Sequence, residues 1–286
     1  MGHMPDINVS NKMAPNISMI DVGGQLLRTA VWRGNGKARP ILFFNGIGAN
    51  LEMVAPLGEM MRDRCDVIVF DMPGIGGSPA PKRPYRPSTV GKWSNKILDY
   101  LGYDTVDVMG VSWGGGAAQQ YARDYPDRAM SLVLLATSAG MVMVPGQIGA
   151  IRRMANPRRY VDPDYMIKNF EALYGDAVDE SSTGHTSRIV PPSKRGYLYQ
   201  LVAMLGWTSI HFLPYLKQPT LVMSGDRDSI VPLANARILK SMIPRADLRI
   251  VRGGGHLFAV SRASQVVPII ARFLDDHAND RIKGED

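Results

Sequence analysis

The stretch VDVMGVSWGGG, residues Val106 to Gly116, runs from an apolar segment through a single serine into three consecutive glycines. Its centre, Gly110-Val111-Ser112-Trp113-Gly114, matches the pattern G-x-S-x-G. In that pattern a serine sits on a sharp turn from strand to helix, and its hydroxyl projects above a sheet. Such a turn strains the serine backbone, and glycines on either side let strand and helix approach closely. The alternative is a glycine-rich connection carrying an idle serine. The rest of the chain decides between them.

Outward from this stretch, short apolar runs alternate with longer amphipathic ones, the rhythm of βαβ units and a parallel sheet. The expected strands are QLLRTAVW, ILFFN, DVIVFDM, TVDVMGV, SLVLLAT, PTLVMSG and LRIVRG. Most are apolar on both faces, as strands covered by helices on each side should be. Helices are expected over Leu51 to Arg62, Ser88 to Leu101, Trp113 to Tyr125, Leu233 to Met242 and Arg262 to Asp276. The rhythm breaks between Gly140 and Leu216, where helical pieces alternate with Pro, Gly and Ser clusters, so an insertion is expected there. Ligands in such sheets bind beyond the carboxyl ends of the strands, and an insertion leaving one of those ends lies over the crevice. The reading is an α/β core over 17–139 and 217–286 with a helical cap over 140–216, preceded by a tail over 1–16 that opens on MGHM, a cloning remnant.

A serine hydroxyl needs a base to take its proton and later deliver it to the leaving group, and histidine suits that task at neutral pH. His3 lies in the remnant, His277 in a charged tail, and His185 and His211 in the insertion. His256, in GGGHLF, follows the last expected strand, where the glycines let its loop reach toward Ser112. A third group must orient the imidazole, and in this arrangement the chain order is serine, acid, histidine. VMSGDRDSIVP offers Asp226 and Asp228; Asp228 is assigned to the site and Asp226 to the loop, on spacing alone. The charge that develops on the carbonyl oxygen calls for two backbone N–H donors. Trp113 supplies one, and Ile47, in the loop after ILFFN, the other.

Other features read as structural. Asp71, in DMPGIGGS, precedes the serine and lies in a turn-rich run. GIGGS is too short for a phosphate-binding loop and lacks its lysine. No metal-ligand spacing appears, and no cofactor is implied. The 286 residues are 45% hydrophobic, enough for a large core. One cysteine, Cys65, forms no internal disulfide and opens an apolar run, so it is assigned to the core. The formal charge of +7 gathers in PAPKRPYRP and IRRMANPRRY, without a nucleic-acid motif. No window approaches the ~18 apolar residues of a membrane span, and the start lacks a secretory apolar core. The chain therefore reads as soluble and cytoplasmic, with no nucleic-acid partner.

With these residues assembled, the chain resembles the α/β-hydrolase superfamily, and several stretches resemble the intracellular medium-chain-length polyhydroxyalkanoate depolymerases of bacteria. The matching segments are FFNGIGANLE, FDMPGIGGS, PYRP, GVSWGG, AQQYARDYP, MVPG, PRRYV, LGWTSIHFL, QPTLV, GDRD and GHLF. The resemblance implies a mostly parallel sheet with a helical cap inserted after the sixth strand. It also implies Ser112 as nucleophile, Asp228 as acid and His256 as base, with Asn45-Gly46 where many relatives have His-Gly. This chain departs from it at Ser229, where a proline commonly follows the acid, and over residues 176–193.

The expected activity is hydrolysis of ester bonds in a medium-chain polyhydroxyalkanoate through an acyl-enzyme, with Met141, Met143, Trp207 and Phe212 as candidate walls of an acyl pocket. The alternative on the same fold is a carboxylesterase or lipase for small soluble esters. Acyl transfer to another nucleophile and a non-catalytic, granule-associated scaffold are further alternatives. Ser112 argues against relatives that place aspartate at the elbow.

Overall fold

The computed structural model describes residues 14–156, 158, 162–175 and 187–280. Eight strands form one sheet in the order β1-β2-β4-β3-β5-β6-β7-β8. They are β1 (Asn16–Asp21), β2 (Leu26–Trp32), β3 (Ile41–Phe44), β4 (Val67–Phe70), β5 (Val106–Val111), β6 (Ala129–Leu135), β7 (Thr220–Gly225) and β8 (Ala246–Val251). β2 is antiparallel to both its neighbours, and every pairing from β4 to β8 is parallel. The sequence reading missed β1. Ile17 and Met19 face solvent there and only Ile20 is buried, so the strand shows no apolar face of its own.

The helices follow in chain order: α1 (Ala55–Met61), α2 (Pro87–Leu101), α3 (Trp113–Asp124), α4 (Ile148–Ala155), α5 (Pro163–Tyr174), α6 (Lys194–Ala203), α7 (Leu233–Met242), α8 (Phe258–Ser261) and α9 (Ala263–Asp276). The period of two in each strand explains the two cores. Leu42 and Phe44 of β3 face a cluster with Ile97 of α2, Tyr121 of α3 and Leu239 of α7. Ile41 and Phe43 face the other cluster, with Met61 of α1, Phe258 of α8 and Ile270 of α9. Burying each such side chain contributes about 1.5–3 kcal/mol, which is why these strands read as unbroken apolar runs. Cys65 belongs to the second cluster and is fully buried.

β3 lies between β4 and β5, so the chain leaves β3 toward one edge of the sheet and returns to β5 on the other side. That reversal opens a crevice beyond the carboxyl ends of β3 and β5, where ligands bind in open sheets of this kind. Between β6 and β7 the chain detours through α4, α5 and α6, and the two ends of the detour meet in one bridge, Gly140 opposite Thr208.

Candidate active site

Ser112 stands between β5 and α3 with φ 53° and ψ −120°, a conformation that costs an L-residue energy and persists only where surroundings impose it. The surroundings do so sterically. A Cβ on Gly110 would lie 2.3 Å from the Gly114 carbonyl oxygen, and one on Gly114 would lie 2.1 Å from that of Phe44. The Ser112 N–H donates to the Leu135 carbonyl at 2.9 Å, and its carbonyl accepts from Gly115 N at 2.9 Å and Thr137 Oγ1 at 2.7 Å. The turn is thus fixed by β3, β5 and β6 together.

His256 follows β8 and is 4% exposed. Its Nε2 is 3.0 Å from Ser112 Oγ and its Nδ1 is 2.8 Å from Asp228 Oδ2. A carboxylate only accepts, so Nδ1 carries the proton and Nε2 is left to accept from the serine hydroxyl. The other oxygen of Asp228 accepts from Ile230 N at 2.9 Å and Val231 N at 2.8 Å, which fixes the carboxylate plane. Asp226 does different work, accepting from Gly253 N at 2.6 Å and tying the two loops together. The His256 N–H donates to the Tyr174 carbonyl, and the Tyr174 ring lies parallel to the imidazole within 10°.

The loop after β3 is built from its own polar side chains. Asn45 Oδ1 accepts from Gly46 N at 2.9 Å, and Asn45 Nδ2 donates to the Asn50 carbonyl at 2.9 Å. Asp71 braces the far side, accepting from Leu51 N and Gly77 N, each at 2.8 Å, and from Arg28 at 3.2 Å. Burial pushes the Asp71 carboxyl above its usual range, against the pull of those donors. Its part is structural, at the base of this loop.

Ser112 and Ile47 line two apolar cavities at once. One, of about 90 Å³, is walled by Phe43, Met53, Leu57, Leu257 and Val260. The other, of about 410 Å³, is walled by Trp113, Met141, Met143, Met204 and Trp207. Three of the expected pocket residues are therefore brought to the serine, and the fourth is corrected. Phe212 is buried behind Trp207, edge-on to it at 6.3 Å, with the Arg123 guanidinium 5.1 Å from its ring centroid, and it faces a separate surface cleft. Gly116 borders the larger cavity, and a Cβ there would come within 2.8 Å of Met204 and 3.1 Å of the Trp207 ring.

The sequence reading missed Gln200, a fully buried residue of α6, because a glutamine among tyrosines and leucines carries no motif. Its Oε1 accepts from Gly48 N at 2.8 Å, and its carbonyl accepts from the Trp113 indole N–H at 2.8 Å. His211 lies beside Phe212 and His277 caps α9 through the Phe273 carbonyl, both away from Ser112. His3, most of PRRYV and residues 176–186 lie outside the described residues. Among the described residues no group of three or more His, Cys, Asp and Glu is placed to hold a metal ion, and no helix is long and apolar enough to cross a membrane.

Comparison with known proteins adds three findings. The model of the alpha/beta hydrolase fold family matches residues 39–263. The chain is 48% identical over 258 residues to a poly(3-hydroxyalkanoate) depolymerase of Ectopseudomonas oleovorans, covering 89% of this chain and 91% of that one. Among solved structures, an esterase from Exiguobacterium antarcticum superposes with a TM-score of 0.77 at 20% identity, over 92% of this chain and all of the other.

Proposed function

This chain belongs to the alpha/beta hydrolase fold family, and from that premise we propose that it is a serine hydrolase that cleaves the ester bonds of a medium-chain-length poly(3-hydroxyalkanoate). The observation that carries the reading is the unbroken relay from Ser112 Oγ through His256 to Asp228, at 3.0 and 2.8 Å. The 48% identity to a named depolymerase, spread over nearly the whole of both chains, supplies the substrate class.

In the first half-reaction Ser112 Oγ attacks the ester carbonyl while His256 Nε2 takes its proton. The oxygen of the tetrahedral intermediate receives the backbone N–H groups of Trp113, at the first position of α3, and Ile47. The first turn of a helix has N–H groups without intrahelical partners, which suits Trp113 to that task. Collapse breaks the bond to the alkoxide, which leaves with the proton from His256 as a hydroxyl end of the polymer. Water, giving its proton to His256, then attacks the acyl-enzyme; the acid is released and the proton returns to Ser112. Asp228 holds the imidazole and stabilises its charged form throughout.

Two features favour a water-insoluble substrate over a small soluble ester. The cavity walls at Met141, Met143 and Trp207 suit an alkyl chain. On α6 and the turn after it, Leu198, Leu201, Val202 and Leu205 form a helical stripe that faces solvent, 54%, 46%, 37% and 62% exposed, and Leu201 also walls the larger cavity. A helix normally buries such a stripe, and exposed apolar patches of this kind mark interaction sites. Residues 140–216 act in this reading as a helical cap that presents the polymer to Ser112, with the enzyme in the cytoplasm at the granule surface. Turnover of medium-chain polyester granules, set beside turnover of short nitrophenyl esters, tests it. Hydrolysis of the polymer supports the reading; activity confined to short esters replaces it with a soluble-ester carboxylesterase.

A further inference from the structure

The two N–H groups assigned to the oxyanion come from the loop after β3 and from the first residue of α3, and their spacing has to hold to a fraction of an ångström. The turn after β5 is held by the bonds of Ser112, whereas the ladder of β3 ends at Phe44, three residues before Ile47. One residue of the inserted segment touches both. Gln200 Oε1 accepts from Gly48 N, one residue beyond Ile47, and the Gln200 carbonyl accepts from the Trp113 indole, each at 2.8 Å. We propose that Gln200 is a positioning residue that sets the spacing of the Ile47 and Trp113 donors, an inference that rests on the serine-hydrolase reading above.

The chemistry of the amide supports this assignment. Gly48 presents a backbone N–H, so the side chain must turn its oxygen toward the loop, which fixes the amide orientation. The nitrogen, Nε2, is then buried with no hydrogen-bond partner among the described residues. A buried donor left unmade is costly, and an apolar side chain of similar size would avoid that cost at the expense of the bond to Gly48. Gly48 has φ 69°, a left-handed conformation that glycine adopts without strain, and in it the N–H reaches the Gln200 amide oxygen.

The helix bearing Gln200 is firmly held. Ser193 caps it, accepting from Gly196 N at 3.0 Å, and the Ser193 N–H donates to the Gly74 carbonyl at 2.8 Å. Gly74 and Gly196 pack so closely that a Cβ on either would come within 2.6 Å of the other's Cα. Gln200 is therefore anchored to the loop after β4 through α6, and through its two acceptors to the loop after β3 and the first residue of α3.

An interaction that tunes oxyanion donors acts in the transition state and leaves ground-state binding of the ester nearly untouched. The test uses the full chain, a soluble nitrophenyl ester, and a trifluoromethyl ketone whose serine adduct mimics the tetrahedral intermediate. For Gln200→Leu, kcat is expected to fall about tenfold to a hundredfold with KM held within about twofold, and ketone affinity to fall in parallel. If Gln200→Leu does not fold, Trp113→Phe removes the second contact alone and should lower kcat and ketone affinity together. Unchanged kcat in the folded variants, or a kcat loss without weaker ketone binding, overturns the proposal. Ser112→Ala run alongside keeps the two readings apart. Full activity in that variant defeats the hydrolase reading, whereas its inactivity beside an unaffected Gln200→Leu defeats only this inference.

Discussion

At the scale of single residues, the strain at Ser112 and the closeness of its glycine neighbours are two sides of one arrangement. The φ of 53° aims the hydroxyl at His256, and the contacts a Cβ would meet at Gly110 and Gly114 explain why the flanking positions are glycine. Gly116 follows the same logic one turn on, where its missing side chain makes room for Met204 and Trp207. The two aspartates of the GDRD loop separate cleanly, since one orients the imidazole and the other ties down Gly253. Asp228→Asn is therefore expected to lower kcat by about 10⁴-fold through loss of the correct imidazole tautomer, while Asp226→Asn changes it by about threefold or less. Steady-state kinetics on a soluble ester checks both; equal losses would remove the distinction. Cys65 lends itself to a pH experiment. Burial pushes its thiol up to about 11, with the Arg64 guanidinium pulling weakly the other way. A raised thiol pKa keeps the group protonated, so at pH 8 about one molecule in a thousand carries the thiolate, and the site is also closed to reagent. Iodoacetamide should leave the native protein unmodified by mass spectrometry at that pH and label it fully once denaturant is added.

Elements differ in how much of themselves they write into the sequence. β3 through β7 are buried on both faces and announce themselves as apolar runs, and the elbow announces itself through the glycines its geometry demands. β1 is silent because it pairs along one edge only and turns Ile17 and Met19 to solvent. Phe212 and Trp207 look alike in the run LGWTSIHFL, yet only tertiary packing sends one to the cavity and the other behind it. Gln200 was illegible for the same reason, since its value lies in what it touches. α6 inverts the usual pattern, with Gln200 inside and leucines outside, and this element carries a prediction of its own. Leu198→Glu combined with Leu205→Glu should cut turnover of polyester granules by about tenfold or more and leave soluble-ester hydrolysis within about twofold. Parallel assays on the two substrates check this, and equal granule turnover by variant and wild type would strip the stripe of its role.

For the molecule as a whole, the order of the strands explains where the chemistry sits. The reversal at β3 opens the crevice, β5 delivers Ser112 to it, and the loops after β7 and β8 bring Asp228 and His256 from the other half of the sheet. Two cores clamp the sheet from both faces, so the relay is held at the ends of packed strands, while the segment between β6 and β7 supplies part of the cavity wall and, through Gln200, a hydrogen bond to Gly48 in the loop after β3. On the proposed function this assembly cleaves a polyester at Ser112. Release of 3-hydroxyalkanoic acids or their oligomers from medium-chain polyester granules, measured for wild type and Ser112→Ala side by side, tests it most directly. Steady release by the wild type and none by the variant is the expected result; release undiminished by Ser112→Ala, or a wild type that cleaves short esters and leaves the granules intact, would contradict the proposed function.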